Sequence, residues 1–494
     1  MTTNSVDVST SSGGLKQHIT GTFLFLFILG DVLGAGIYAL MGVLALKVGG
    51  ALWAPLLLAL LLALLTAGSY AELVTKYPKA GGAAVFAERA YQKPMLSSLV
   101  GFAMLAAGIT SAAGLAPAFA GDYLAVFVSV PQVPAAMIFL VLVACLNARG
   151  ISESMKGNMV MTLIEVTGLI IVIVAGAMLW ADGKADFSRV TQFPAGVSPA
   201  AATLSAAIVA YYAFVGFETS ANVVEEVRNP SRVYPAALFS SLCIAGVVYV
   251  LVGLASAIAL PAAELAASSG PLLAVVASSG IAVPAWAFGF IALIAVANGT
   301  LLTMIMASRV TYGMAEQGLL PSSLSRLLPV RRTPWVAIVV TTIAALALTV
   351  LGDLQALAET VVLLLLFVFI STNVTVLVLR REKVAHAHFR VWTWVPVLSI
   401  LSCVLLLTQQ RLQVWGFGAG LLALGAVLFV LAQKATRRTA AAYPQPALAR
   451  HCKLRSDALA PLNRISRRPD QPPMRRILLA VPCWSDDDTV ATDS

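Results

Sequence analysis

The feature that most constrains this chain is its succession of apolar runs, each close to the roughly 20 residues that a helix needs to cross the hydrocarbon of a bilayer. They lie near residues 21–46, 50–75, 95–127, 132–149, 157–180, 200–225, 234–260, 281–315, 334–351, 354–380, 391–410 and 413–434. Hydrocarbon offers no partner to a backbone N–H or C=O, so each run must close its hydrogen bonds internally, as a helix. The expected fold is therefore all-α and integral to the membrane, with about twelve transmembrane helices. Composition agrees: hydrophobic residues make up 59% and charged ones 11%, which cannot furnish a water-soluble surface. The first run is too long for the core of a signal peptide and is not followed by a convincing cleavage site, so it is expected to remain as a spanning helix.

Basic residues set the expected orientation. With twelve spans and a cytoplasmic N-terminus, only Lys47, Lys184, Arg189 and Arg411 of the 32 Lys and Arg residues fall on the outer side. This bias predicts both termini in the cytoplasm, and a plasma membrane of bacterial type is the expected location. It also accounts for the net charge of +9 without nucleic acid as a partner.

The second constraint is a weakness inside the first helix. "ILGDVLGAGIYALMG", Ile28 to Gly42, places Asp31, Gly34 and Gly36 where the bilayer is least forgiving. Glycines there either let neighbouring helices approach closely or open the backbone at a cavity. A matching interruption at Gly216 in "FVGFE" of the sixth helix favours the second reading. Two sets of five helices, each with its first helix broken, are the expected pattern of an inverted-repeat transporter. The chain divides accordingly into an N-terminal cytoplasmic tail (1–20), a first five-helix repeat (21–180), a second (200–380), two additional helices (391–434) and a disordered basic cytoplasmic tail (435–494). "MRRILLAV", residues 474–481, reads as a stray apolar run in that tail. At such breaks, free N–H groups after Gly36 and a positive helix end suit an anion, and the carbonyl ends of the preceding halves suit a cation. A zwitterion such as an α-amino acid satisfies both.

Four blocks carry a resemblance: "GAGIYALMG", "SYAELVTKYPKAGGAAVFAERAY", "YYAFVGFETSANVVEEVRNPSRVYPAAL" and "ASRVTYGMAEQGLLP". In this order the chain resembles the amino acid–polyamine–organocation family of permeases over about residues 20–435. The resemblance implies a leucine-transporter-type fold of five plus five helices with helices 1 and 6 broken, alternating access, and proton-coupled uptake or exchange of amino acids. It implies that Gly34, Ala35, Gly36 and Ile37 bind substrate through the backbone. Phe214, Val215 and Gly216 would complete the pocket, with Phe214 as an occluding aromatic.

Intramembrane acids are functional candidates, because an ionisable group in lipid is costly. Glu165 in the fifth span is titratable and stands near the position where several relatives carry a lysine in place of a sodium ion, so proton coupling and sodium coupling are both open. Glu218, just past the second break, either contacts a cationic substrate or caps the following half-helix. Asp31 either faces an aqueous path or pairs with a basic residue. Glu225, Glu226 and Arg228, and Glu72 with Lys76, are solvated helix ends or gate latches. Asn298, Thr300, Thr303 and Ser308 offer oxygens either to sodium or to neighbouring helices. The third helix has no acid before Asp122, which argues against a cationic substrate, whereas "VGFE" and "EEVRNP" resemble the cationic branch.

Against catalysis, the sequence has no nucleotide-binding loop, and His18, His386, His388 and His451 lie outside or at the edges of the spans. Neither metal nor cofactor is expected. The five cysteines, Cys145, Cys243, Cys403, Cys452 and Cys483, have no paired spacing. A membrane sensor that binds amino acids without moving them remains the competing reading.

Overall fold

The computed structural model describes residues 19–78, 82–150, 155–329, 331 and 333–442. The expectations for residues 1–18 and 443–494, among them both tails, His18, His451, Cys452, Cys483 and the run 474–481, lie outside the described residues. One compact unit ends at Ala435; of the second, Thr436–Ser494, the described part is helical.

Among the described residues twelve apolar crossings follow one another, ten of them long and apolar enough to span a membrane and two shorter, at Trp335–Leu351 and Trp394–Thr408. The first is split into α1 (Gly21–Leu33) and α2 (Ala35–Val48), followed by α3 (Trp53–Lys76), the short α4 (Gly82–Tyr91) and α5 (Pro94–Ala118), which runs on as a π-turn to Tyr123. Next come α6 (Gln132–Arg149), α7 (Met155–Ala181) and the sixth crossing, made of α8 (Pro199–Ala213) and a 3₁₀ segment, Phe217–Glu226. The remainder is α9 (Pro230–Ala259), the short α10 (Ala262–Ala267) and α11 (Pro271–Ser278), α12 (Ala285–Glu316), α13 (Trp335–Leu351), α14 (Leu354–Leu379), α15 (Trp394–Thr408) and α16 (Leu412–Ala442). The crossings coincide with the runs read from sequence to within a few residues. The short helices α4, α10 and α11 had no such signal, because they are not obliged to satisfy their backbone in lipid.

Local chemistry explains the helix ends. Proline opens α5, α8, α9 and α11 at a position whose N–H would have no helical partner. Asp353 caps α14 by accepting from Ala356 N–H at 2.8 Å, and Gly150, at φ 74°, closes α6 in the left-handed region. Small residues set helix packing: a Cβ on Gly176 of α7 would lie 2.6 Å from Ala255 Cβ of α9. The two broken crossings, α3, α5 and α14 are largely enclosed, α5 most of all, whereas α6 and α16 expose Ile138, Leu142, Leu424 and Val427, as helices facing hydrocarbon do.

Three polar braces join the helix ends. Glu72 of α3 receives Arg380 through two bonds, 3.0 and 2.8 Å, and Val391 N–H at 3.0 Å. The sequence suggested Lys76 as its partner. Instead, Lys76 Nζ donates to Leu379 O at 2.5 Å. At the same end, the Tyr77 hydroxyl (2.7 Å) and Arg89 (3.0 Å) both bind Glu382. Burial and this bond push the Tyr77 phenol up to about 12, and the bond together with Arg89 holds the Glu382 carboxyl below its ordinary range. At the opposite end, buried Glu359 pairs with Lys47 and Arg411, each at 2.9 Å. Among the described residues the only β-type pairing is a bridge between Ile19 and Val227, which ties the start of α1 to the end of the 3₁₀ segment. Its bonds are Ile19 N–H to Glu226 O, 2.9 Å, and Arg228 N–H to Ile19 O, 3.1 Å.

Candidate functional site

Both expected breaks are present, side by side. In the first crossing a single residue, Gly34, leaves helical geometry at φ −60°, ψ −144°, so the second half starts at Ala35 rather than after Gly36. In the sixth, Phe214–Gly216 interrupts the helix, and Gly216 at φ 126° occupies a conformation open to glycine almost alone. The breaks also touch: a Cβ on Gly36 would lie 3.0 Å from Ala213 Cα, and one on Gly216 would lie 2.8 Å from Asp31 O. Glycine at these two places is thus required by close backbone approach and, at Gly216, by φ.

A cavity of about 590 Å³ extends from this junction. Ala35, Gly36, Tyr212, Ala213, Val215 and Gly216 line it at the breaks, and Met104, Ser111 and Leu115 of α5 face Gly299, Leu302, Thr303 and Met306 of α12 across it. Towards the end of the bundle that carries Ile19 it is lined by Glu88, Asn222, Glu226, Arg309 and Gln317. Volume and lining suit a small organic ligand with both apolar and polar parts.

The half-helix ends differ in what already occupies them. Glu218 turns back to accept Gly216 N–H at 3.0 Å, so the 3₁₀ segment is capped by its own carboxylate. The N-terminus of α2, with Ala35 and Gly36 on the cavity wall, carries no side-chain cap. Asp31 accepts a short hydrogen bond from the Thr219 hydroxyl, which also contacts Gly216 O at 2.8 Å. The carbonyl ends of both first halves, Val32 O and Ala213 O, meet one hydroxyl, that of Tyr249 on α9.

Of the residues singled out by sequence, Asp31, Ala35, Gly36, Val215, Gly216, Glu218, Glu226 and Thr303 line the cavity. Ile37 and Phe214 are fully buried behind it, Phe214 edge-on to Tyr249 at 5.1 Å between ring centroids. The aromatic ring that the sixth crossing does present to the cavity is Tyr212, its hydroxyl 2.7 Å from Ser111 Oγ. Glu225 and Arg228 lie beside the Ile19 bridge rather than on the wall, and Gly34 forms the kink itself. Glu165 is buried outside the cavity, between α7 and α12. Its Oε1 accepts Asn298 Nδ2 at 2.9 Å, its backbone carbonyl accepts the Tyr38 hydroxyl at 2.7 Å, and its Oε2 has no hydrogen-bond partner. Thr300 and Thr303 donate to carbonyls of their own helix, Thr303 from the cavity wall, whereas Ser308 joins Asn147 of α6 at 3.2 Å and ties two helices together.

Sequence reading passed over Tyr212, Tyr249, Ser111 and Thr219. For the tyrosines a signal existed: a phenol inside an apolar run needs a partner when buried, which marks it as an inward-facing group.

The family model for amino acid permeases matches residues 21–436. A relative named cationic amino acid transporter 4, vacuolar, from Arabidopsis thaliana is 28% identical over 369 residues, 70% of this chain and 60% of that relative. The branched-chain amino acid permease BcaP of Bacillus subtilis is 26% identical over 356 residues, 67% of this chain and 74% of its own length. A methylthioribose transporter of the same bacterium is 26% identical over 377 residues, 72% and 79% respectively. The chain thus spans about 60% of the plant relative's length.

Proposed function

This chain belongs to the amino acid permease family, and from that premise we propose that it is a secondary carrier of α-amino acids, not an enzyme, working by alternating access in a cytoplasmic membrane. The observation that carries the reading is the pair of touching breaks at one end of a cavity. The free N–H groups of α2 suit a carboxylate, and the converging carbonyls of Val32 and Ala213 suit an ammonium. Because Glu218 already caps the 3₁₀ segment, the start of α2 is the half-helix end left for a substrate anion.

The side-chain class follows from the opposite wall. Met104, Ser111, Leu115, Leu302, Thr303 and Met306 contain no acid, which supports a neutral side chain. A cationic side chain is the second reading, favoured by Asp31 and Glu218 on the cavity lining and by the name of the plant relative. Coupling is assigned to a proton taken up by Glu165, whose unpartnered Oε2 offers it a place beside the first break. The bias of Lys and Arg supports a cytoplasmic location for both termini and for the end of the cavity lined by Ile19.

The test is uptake into proteoliposomes with an imposed inward proton gradient and clamped voltage, using labelled leucine and labelled arginine with unlabelled competitors. Proton-driven uptake of leucine, competed by neutral amino acids, is expected. Arginine as the preferred substrate would favour the second reading. Binding without movement under any gradient or preloaded amino acid would overturn the carrier and leave a sensor.

A further inference from the structure

The Tyr249 hydroxyl is the meeting point of two helix ends that are far apart in sequence. The last turn of α8 tightens, with Phe214 N–H on Tyr211 O at 3.0 Å and Val215 N–H on Tyr212 O at 3.1 Å. The next carbonyl along, Ala213 O, accepts from Tyr249 at 2.9 Å. The same hydroxyl reaches Val32 O, one residue before α1 ends. Tyr249 itself is fully buried in α9, its ring held edge-on by Phe214. α9 packs along α1, so the hydroxyl is carried on a continuous helix that is not itself broken.

A phenol has one proton to donate, while each carbonyl has two lone pairs. Two carbonyls drawn onto one hydroxyl therefore keep spare acceptor capacity, and their residues, Val32 and Ala213, line the cavity together with Gly36 and Gly216. Left to themselves, the two oxygens carry the partial negative charge of two helix ends and repel each other.

We propose that Tyr249 is a positioning residue for the substrate's amino group. Its hydroxyl holds the carbonyl ends of α1 and α8 together, so that an ammonium is received by both at once. This rests on the α-amino acid reading above. Preorganisation of this kind raises affinity for the one group it serves and is indifferent to the remainder of the ligand.

The experiment compares an α-amino acid with the carboxylic acid of identical skeleton that lacks the amino group, as competitors for binding to the purified wild-type protein and to Tyr249→Phe. The substitution is expected to narrow the preference for the amino acid by about tenfold or more, with affinity for the desamino acid unchanged. Equal weakening of both ligands would mean a merely structural role, and an unchanged preference would mean none; either overturns the proposal. Tyr249→Met also deletes the hydroxyl, so whichever variant reaches the membrane serves. If neither accumulates, the hydroxyl is a folding element and the proposal falls. Should the wild type bind neither ligand, the amino acid reading fails and the proposal falls with it, an outcome distinct from the loss of discrimination in Tyr249→Phe alone.

Discussion

At the scale of single residues, the site depends on what has no side chain and on what has a lone buried one. Gly36 faces Ala213 so closely that a Cβ would sit 3.0 Å from its Cα, and Tyr212 Cδ1 lies only 3.6 Å away. Gly36→Leu is therefore expected to abolish substrate binding while membrane insertion, which follows hydropathy, stays intact. Wild-type affinity in a binding assay of that variant would contradict the broken-helix site. Glu165→Gln keeps an oxygen for Asn298 Nδ2 and removes only the titratable proton. Uptake should then lose its pH dependence without loss of folded protein, and an unaltered pH profile would remove Glu165 from coupling. The glycines and the glutamate were legible in the sequence as anomalies in apolar runs. Which of their neighbours they touch was not.

At the scale of elements, the braces at the helix ends decide how the halves are held. Glu72 and Arg380 are both largely buried, so Arg380→Ala strands a carboxylate in a poorly solvated place, at an expected cost of about 3–5 kcal/mol. A thermal denaturation curve in detergent reads this out directly. In the Tyr77–Glu382–Arg89 brace the Arg89–Glu382 ion pair is exposed and screened, so its effect is smaller and depends on pH. Glu382 is held below its ordinary range, hence its contribution is full above the unfolded value near 4.3 and is lost as pH falls through the lower folded value. Wild type should therefore lose more thermal stability than Glu382→Gln on acidification from neutral pH to about 3, and identical losses would refute the brace. Neither partner of Glu72 nor that of Glu382 was evident beforehand. The sequence offered Lys76 one helical turn from Glu72, and a contact with Arg380 spans 308 residues.

At the scale of the whole molecule, an even number of crossings, as read for the described residues, and the bias of Lys and Arg lead to the expectation that both termini lie in the cytoplasm. On a cysteine-free background, Arg411→Cys should react with an impermeant thiol reagent in intact cells, and Arg331→Cys only after permeabilisation. The reverse pattern would invert the orientation and with it the side to which the end of the cavity lined by Ile19 belongs.

The sequence by itself determined the number and extent of the crossings, the positions of the two breaks and the family. Each of these is written locally: lipid forces every run to close its own hydrogen bonds, and glycine and charge within a run are visible without knowing its neighbours. The tertiary structure alone decided that Phe214 turns away from the cavity while Tyr212 lines it, that Glu218 caps its own segment, and that Tyr249 joins both carbonyl ends. A spanning helix is apolar towards lipid and towards protein alike, so its sequence carries little record of which face turns inward. Only the packing of distant helices against one another chooses the face, and with it the groups that a substrate meets.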